Sequence, residues 1–266
     1  MTEVLWNRMT AEELRRRAEE EAIVLLPVAS TEQHGPHLAT GVDTFLGGEG
    51  CRRTALIVAR SRPIVVAPVV WMGLAEHHVA FGGTFSLSLT TYHALLKDLC
   101  GSILRAGFSK ILIVNAHGGN IAALGALTTD LARELSAPIA TTTLYTLAHR
   151  ARAYATILED QQEVLHACEA ETSMMLTIVP DCVRRERISE AFGPTAGRGL
   201  GVGPALSVWK SFTELTPTGV MGDARKATAE KGEKLLDVAA ELLAEKLIAG
   251  EPWMPAQLGF SRVATL

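Results

Sequence analysis

The sequence has few cysteines, no basic run and no long hydrophobic segment. The four cysteines form no C-x-x-C pair, so we expect reduced, buried thiols rather than a disulfide framework or a zinc knuckle. No apolar run approaches the ~18 residues of a membrane-spanning helix. The net charge of -4, without a basic stripe, argues against nucleic acid or an anionic membrane as a partner.

Targeting and linker signals are also missing. The N-terminal segment mixes acidic and basic residues and does not resemble a signal peptide, so we expect a cytoplasmic protein. The chain has 266 residues, of which 48% are hydrophobic and 20% charged, a balance typical of globular proteins. Without a linker-like stretch or an internal repeat, residues 1–266 are predicted to form a single domain.

Apolar strands alternate with amphipathic helices along most of the chain. The predicted strands are 22–28, 64–70, 110–114 and 138–145, and the predicted helices are 10–21, 48–60, 91–106, 122–135, 147–158, 164–178 and 227–249. This alternation predicts an α/β fold with three layers, a mostly parallel central sheet covered by helices on both faces. The segment 184–203 is aperiodic, and we expect it near the surface or a subunit contact.

Polar side chains begin where the first strand should end. If the backbone stays extended, Glu32 and His34 point the same way, and Asp43 follows after a Gly/Pro turn. Carboxylate oxygens and imidazole nitrogens are suitable ligands for a divalent metal. The alternative is a polar loop with a capping aspartate.

A second polar loop follows the strand 110–114. His117 lies there beside Gly118 and Gly119, where the backbone can turn sharply and leave the imidazole exposed at the sheet edge. The alternatives are an incidental histidine in a glycine turn and a phosphate cradle at a helix N-terminus, although the lysine and serine of a P-loop are missing. Sites in open α/β sheets form at the carboxyl ends of strands, so the two loops should meet.

The predicted helix 164–178 carries a histidine and two acids. His166 and Glu169 are three residues apart and would share a helix face, whereas Glu171 would point elsewhere. The alternative is that both acids only complement the helix macrodipole. In the loop 73–78, Glu76 and His77 are candidates for contact with a substrate.

Four motifs in order resemble the creatininase (creatinine amidohydrolase) family. They are Glu32-Gln33-His34-Gly35-Pro36-His37-Leu38 with Asp43, Asn115-Ala116-His117-Gly118-Gly119-Asn120, His166-Ala167-Cys168-Glu169-Ala170-Glu171-Thr172-Ser173, and Gly219-Val220-Met221-Gly222-Asp223. The resemblance covers about residues 20–235. It implies a single α/β domain, a homohexamer, and two divalent metal ions (Zn, Mn or Fe) that serve hydrolysis of small C–N bonds.

The resemblance also implies roles for individual residues. Glu32, Asp43 and His117 would bind one metal. His34 and the bridging Asp43 would bind the other. His166 matches the catalytic histidine of the family.

Two features differ from creatininase itself. Gly119 stands where creatininase has a glutamate ligand, and we predict that Glu169 replaces it. No tryptophan occurs between Trp71 and Trp209, whereas creatininase closes tryptophans over its substrate. The arrangement is closer to family members such as the mycofactocin-maturing peptidase and the formamide-cleaving enzymes.

The sequence therefore predicts a metal-dependent amidohydrolase that cleaves a small amide, cyclic amide or formamide. Glu76, His77, Gly118 and Gly119 are the predicted substrate-binding positions. The alternatives are a metallopeptidase acting on a short peptide and a non-catalytic metal-binding protein on the same scaffold.

Overall fold

The centre of the fold, in a computed structural model that describes residues 3–159, 161–195 and 208–254, is a parallel sheet of four strands. The strands are β1 (Ile23–Val28), β2 (Ile64–Val66), β3 (Lys110–Asn115) and β4 (Ile139–Thr143), in the spatial order β2-β1-β3-β4. All three pairings are parallel, and Leu25 of β1 lies between Val66 of β2 and Leu112 of β3. Because the strands are parallel, their carboxyl ends share one edge of the sheet.

Helices connect and cover the strands. They are α1 (Ala11–Glu19), α2 (Val42–Val58), α3 (Leu89–Arg105), α4 (Ile121–Leu135), α5 (Thr146–Arg150), α6 (Glu169–Ile178) and α7 (Ala229–Ala249). The predicted capping box of α1 is present, with Thr10 and Glu13 bonding to each other's backbone N–H groups. No helix in the described part of the chain is long and apolar enough to cross a bilayer.

Strand side chains alternate between two hydrophobic layers. Ile23 and Leu25 of β1 pack with α2, α5, α6 and α7, whereas Val24 and Leu26 pack with α1, α3 and α4. This alternation follows from the two-residue period of a strand, and it buries both faces of the sheet. The predicted α/β fold with helices on both faces is confirmed.

Several predicted boundaries are wrong. The second helix begins at Val42 rather than residue 48, which places Asp43 in its first turn. The second strand ends at Val66, because Pro68 has no N–H to donate to a neighbouring strand. The predicted helix 147–158 is the short α5 followed by a single 3₁₀ turn over Tyr154–Thr156.

The start of α6 differs from the prediction in a way that matters for the site. The helix begins at Glu169, after Cys168 in an extended conformation, instead of at residue 164. Ala167 has a φ of 53°, a left-handed conformation that cannot belong to a regular helix. His166 therefore lies outside the helix, and it does not share a helix face with Glu169 as predicted.

Candidate metal centre

The two polar loops meet at the carboxyl edge of the sheet. Glu32 and His34 follow β1, His117 follows β3, and Asp43 enters from the first turn of α2. All four residues are buried, with at most 2% of their surface exposed. The structure thus brings together the four residues on which the sequence prediction of a metal site depends.

The first group of possible ligands contains Glu32, Asp43 and His117. The Nδ1 atom of His117 lies 3.0 Å from Glu32 Oε2 and 3.1 Å from Asp43 Oδ2. Its Nε2 lies 3.2 Å from the carbonyl oxygen of Leu74, which can only accept a hydrogen bond. Nε2 therefore carries a proton, and Nδ1 faces the two carboxylates.

The second group contains His34, Asp43 and Glu171. The Nε2 atom of His34 lies 3.3 Å from Asp43 Oδ1 and 3.7 Å from Glu171 Oε2. Its Nδ1 is 3.2 Å from the carbonyl oxygen of Glu32. Asp43 therefore takes part in both groups through different oxygens, an arrangement suited to a carboxylate that bridges two ions.

Glu169 does not face this centre, and its predicted place there is corrected. Its carboxylate is buried against α7, where Oε1 lies 2.6 Å from Lys231 Nζ, and it accepts hydrogen bonds from the backbone N–H of Glu159. Glu171 faces His34 and Asp43 instead. The physical reason is the late start of α6, since Glu169 is the first residue of the helix rather than part of a turn shared with His166.

Glu171 is held in place by the backbone in front of the helix. Its Oε2 accepts a hydrogen bond of 2.5 Å from the N–H of Ala167, the residue in the left-handed conformation. Glu171 is thus a residue that sequence reasoning missed. The sequence did show two glutamates near the start of the predicted helix. It did not show where the helix begins, and therefore not which of the two faces the centre.

His166 closes one side of the centre. Its Nδ1 lies 3.5 Å from Glu32 Oε1, and its ring lies 4.2 Å from that of His34. Burial, together with the charges of His34 and other nearby histidines, lowers the pKa of His166 well below its ordinary value. His166 is therefore a neutral imidazole, in which one ring nitrogen carries a proton and the other a lone pair.

His78 is a further buried residue of the centre. The sequence predicts a site role for its neighbour His77, but not for His78. Its Nε2 lies 3.3 Å from Glu32 Oε1, and its ring stacks on His166 at 4.4 Å. Phe212 packs on both rings, with centroids 4.2 Å from His78 and 4.9 Å from His166. The sequence shows two adjacent histidines in a loop, and only the fold decides that His78 points inward.

The predicted substrate-binding positions lie around this centre in different environments. His77 is half-buried and stacks near His117 at 5.8 Å, whereas Glu76 is exposed. Gly118 is exposed and faces open space. A Cβ at Gly119 would overlap the Leu74 carbonyl oxygen and the His117 ring, so no side chain fits there.

The buried carboxylates and histidines shift one another's pKa values. Burial raises the pKa of Glu171 to about 8 and also raises that of Glu32. For His34, burial acts in the opposite direction, but the nearby Asp43 carboxylate outweighs it and raises the pKa to about 9. Asp43 keeps a lowered pKa despite burial, because the imidazoles of His117 and His34 lie 3.1 and 3.3 Å from its oxygens. Strongly perturbed groups in one place are typical of functional sites.

Several atoms at the centre are buried without a hydrogen-bond partner among the described residues. They are Glu32 Oε2, His34 Nε2 and Asp43 Oδ2. Buried polar atoms are normally satisfied, and these three belong to residues of the two ligand groups. A cation would satisfy all of them, so the donor set fits divalent metal binding.

Comparison with known proteins agrees with this geometry. The sequence matches the family model described as Creatininase: Creatinine amidohydrolase over residues 7–247. The chain belongs to the creatininase family. The match includes every residue of the metal centre described above.

Similar proteins within the family have different named activities. The chain is 29% identical to the mycofactocin precursor peptide peptidase of Mycolicibacterium smegmatis, covering 89% of this chain and 87% of that protein. It is 28% identical to the 3-dehydro-scyllo-inosose hydrolase of Thermotoga maritima, covering 93% of this chain and 83% of that protein. It is also 28% identical to the creatinine amidohydrolase of Pseudomonas putida, covering 92% of this chain and 94% of that protein. At this coarse level, the chain is a hydrolase-family protein.

Solved creatininase structures share the fold. One crystal structure of creatinine amidohydrolase superimposes with a TM-score of 0.80 at 24% identity, covering 96% of this chain and 100% of that one. A creatininase described as its Mn form gives a TM-score of 0.78 at 23% identity, with coverage of 94% and 100%. These likenesses establish the creatininase-like α/β architecture.

Proposed function

We propose that the protein is a metal-dependent amidohydrolase that cleaves a C–N bond in a small amide, cyclic amide or formamide. The observation that carries this proposal is the position of Asp43, whose two oxygens face two separate groups of buried ligands. A carboxylate shared by both groups would hold two ions close together, as binuclear hydrolytic sites do.

Two divalent ions, Zn, Mn or Fe, fit the donor set. Glu32, Asp43 and His117 would hold one ion, and His34, Asp43 and Glu171 the other. Each ion would then have three protein ligands, the usual number at catalytic zinc sites. The hydrogen bonds of His117 and His34 to backbone carbonyls support this assignment, since such contacts orient metal-binding imidazoles.

When bound, the ions would polarise the scissile carbonyl and lower the pKa of water near them. The protein's own contribution is positioning and proton transfer. His166 would accept a proton from the attacking water at Nδ1, the nitrogen that faces Glu32, and donate it to the leaving nitrogen. Phe212 covers His166 and His78 and would exclude bulk water from that side.

The opening of the site favours entry beside Gly118. Gly118 is exposed with open space in front of it, and the half-buried His77 lies near the ring of His117. We propose that substrate enters here and contacts His77, Glu76 and the Gly118–Gly119 backbone. This assignment keeps the four positions that the sequence predicts for substrate binding.

The proposal is tested by metal analysis followed by a hydrolysis screen over cyclic amides, formamides and short peptides. Asp43→Asn should lose most of both metals and all activity, because one carboxylate serves both groups. Asp181→Asn is the matched control, since Asp181 is exposed and belongs to neither ligand group. Full metal content in Asp43→Asn would exclude the bridging role.

A metallopeptidase acting on a short peptide is the second candidate. Its support is the open space at Gly118 and the likeness to mycofactocin precursor peptide peptidases. Cleavage of peptides without turnover of small amides would favour this candidate. Gly118→Phe should then reduce peptide cleavage more than hydrolysis of a formamide, because it fills the opening. Stoichiometric metal without turnover of any member of the screen would favour a non-catalytic metal-binding protein.

A further inference from the structure

Gln33 lies between two histidines of the centre and is itself buried, with 7% of its surface exposed. Its Nε2 atom lies 2.9 Å from His78 Nδ1, 3.0 Å from His166 Nε2 and 3.1 Å from the carbonyl oxygen of Gly219. A carboxamide NH₂ has two hydrogens, so it cannot donate to all three atoms at once.

The orientation of the carboxamide follows from its other end. The backbone N–H of Gly35 donates to Gln33 Oε1 at 2.9 Å, which identifies Oε1 as the acceptor and Nε2 as the donor. The carbonyl oxygen of Gly219 can only accept. One of the two hydrogens on Nε2 is therefore directed to Gly219.

The second hydrogen is assigned by elimination. His166 Nε2 also lies 2.9 Å from the backbone carbonyl oxygen of Gln33, and this bond requires a proton on His166 Nε2. A nitrogen that carries this proton cannot also accept from the Gln33 side chain. The remaining hydrogen of Gln33 is therefore donated to His78 Nδ1.

We propose that Gln33 is a positioning residue that fixes the tautomers of both histidines, through two different groups. Its side chain makes His78 an Nε2–H tautomer, whose N–H then points to Glu32 Oε1 at 3.3 Å. Its backbone carbonyl makes His166 an Nε2–H tautomer, which leaves the Nδ1 lone pair facing the same glutamate at 3.5 Å.

The consequence is a division of roles between two stacked imidazoles. His78 presents a proton to Glu32 and orients that carboxylate, whereas His166 presents a lone pair. The assignment of tautomers rests on hydrogen-bond geometry alone. Its meaning for proton transfer rests on the proposed function, because it identifies Nδ1 as the nitrogen through which His166 would act.

The test is ¹⁵N solid-state NMR on histidine-labelled full-length protein, before and after zinc loading. Signals are assigned by comparison with His78→Asn and His166→Asn. We expect Nε2 of both rings to carry a proton in both states. A proton at Nδ1 of either ring would overturn the proposal. The NMR result does not depend on whether the protein hydrolyses an amide, so it tests the tautomers separately from the proposed function.

A variant separates the two groups of Gln33. Gln33→Met removes the side-chain donor without adding charge, so His78 should lose its single tautomer while His166 keeps Nε2–H through the unchanged backbone. Gln161→Met is the control, because Gln161 is a buried glutamine that donates to the carbonyl of Glu163. Its two histidine signals should match the wild type. If the signals of both histidines change in Gln33→Met, or if neither changes, the proposed separate roles of the Gln33 side chain and backbone are refuted.

Kinetics give a second readout in the same variants. Loss of a residue that orients catalytic groups typically lowers activity ~10–100-fold, and we expect this in kcat for Gln33→Met, with KM little changed. An effect confined to KM would show that Gln33 binds substrate rather than positioning His78 and His166.

Discussion

Glu169 and Lys231 form an ion pair between α6 and α7, with 2.6 Å between the carboxylate Oε1 and the ammonium Nζ. Glu169 is 1% exposed, and Lys231 also contacts Glu159 and the carbonyl oxygen of Lys226. Glu171, two residues further on, faces His34 and Asp43 instead.

Substitutions of the two glutamates of α6 should have different effects, one on metal content and the other on stability. Glu171→Gln should lose about one metal ion per chain and most activity, because it removes a charged ligand of the second group. Glu169→Gln should keep both ions and lower the free energy of unfolding by ~1.5–3 kcal/mol, the typical contribution of a hydrogen bond to a charged group. Metal analysis and chemical unfolding measure the two effects. Loss of metal in Glu169→Gln with full occupancy in Glu171→Gln would contradict this assignment.

His37 should make stability depend on pH. Burial, with a smaller effect of His34, lowers its pKa to about 4. Between this value and the unfolded value of about 6.5, the unfolded chain binds more protons than the folded one, so stability falls as pH decreases through this window. The difference corresponds to about 3 kcal/mol at its full extent.

The measurement compares wild type with His37→Gln by chemical unfolding from pH 4 to 7, with a chelator present so that metal release does not contribute. Glutamine can keep the hydrogen bond to Thr172, which lies 2.7 Å from His37 Nε2. The variant should lose stability less steeply on acidification. Parallel curves for the two proteins would show that His37 does not cause the dependence.

Gly232 should be intolerant of a side chain. It lies on α7 where a Cβ would overlap the Ser173 carbonyl oxygen and the Thr177 hydroxyl of α6. Alanine favours a helix by up to ~1 kcal/mol over glycine, but overpacking against backbone typically costs ~1–3 kcal/mol. Because a backbone carbonyl oxygen of α6 stands in the way, we expect Gly232→Ala to destabilise the protein and, by displacing α6, to lower metal occupancy through Glu171.

The matched control for that substitution is Gly125→Ala on α4. Gly125 is exposed and a Cβ there meets no atom within 4 Å, so only the helix preference remains. Thermal unfolding should show the opposite sign for the two variants. Stabilisation by Gly232→Ala would mean that α6 and α7 can separate without cost.

Assembly is predicted from the family resemblance, with a homohexamer as the expected form and the segment 184–203 near a subunit contact. Residues 196–203 of that segment lie outside the described residues. In the described part, Arg185–Glu190 forms exposed 3₁₀ turns. Arg185→Glu should therefore reduce the mass measured by light scattering at micromolar concentration, and Arg105→Glu on α3 should not. A wild-type monomer would exclude the predicted assembly.

The sequence by itself determined the architecture and most of the centre. Buried apolar strands alternating with helices predict a parallel sheet, and the carboxyl ends of parallel strands lie along the same side of that sheet. Glu32, His34 and His117 directly follow two such strands, so their convergence could be predicted from chain order. Asp43 follows closely after the first loop and could be included on the same grounds.

Only the tertiary structure decided which side chains of the later segments face the centre. The choice between Glu169 and Glu171 depends on where α6 begins and on the Lys231 contact from a helix about 60 residues away, neither of which appears in local periodicity. The choice between His77 and His78 is of the same kind. In an irregular loop or at a helix start, the direction of a side chain is set by the contacts of the folded chain, because no repeating pattern links position to face.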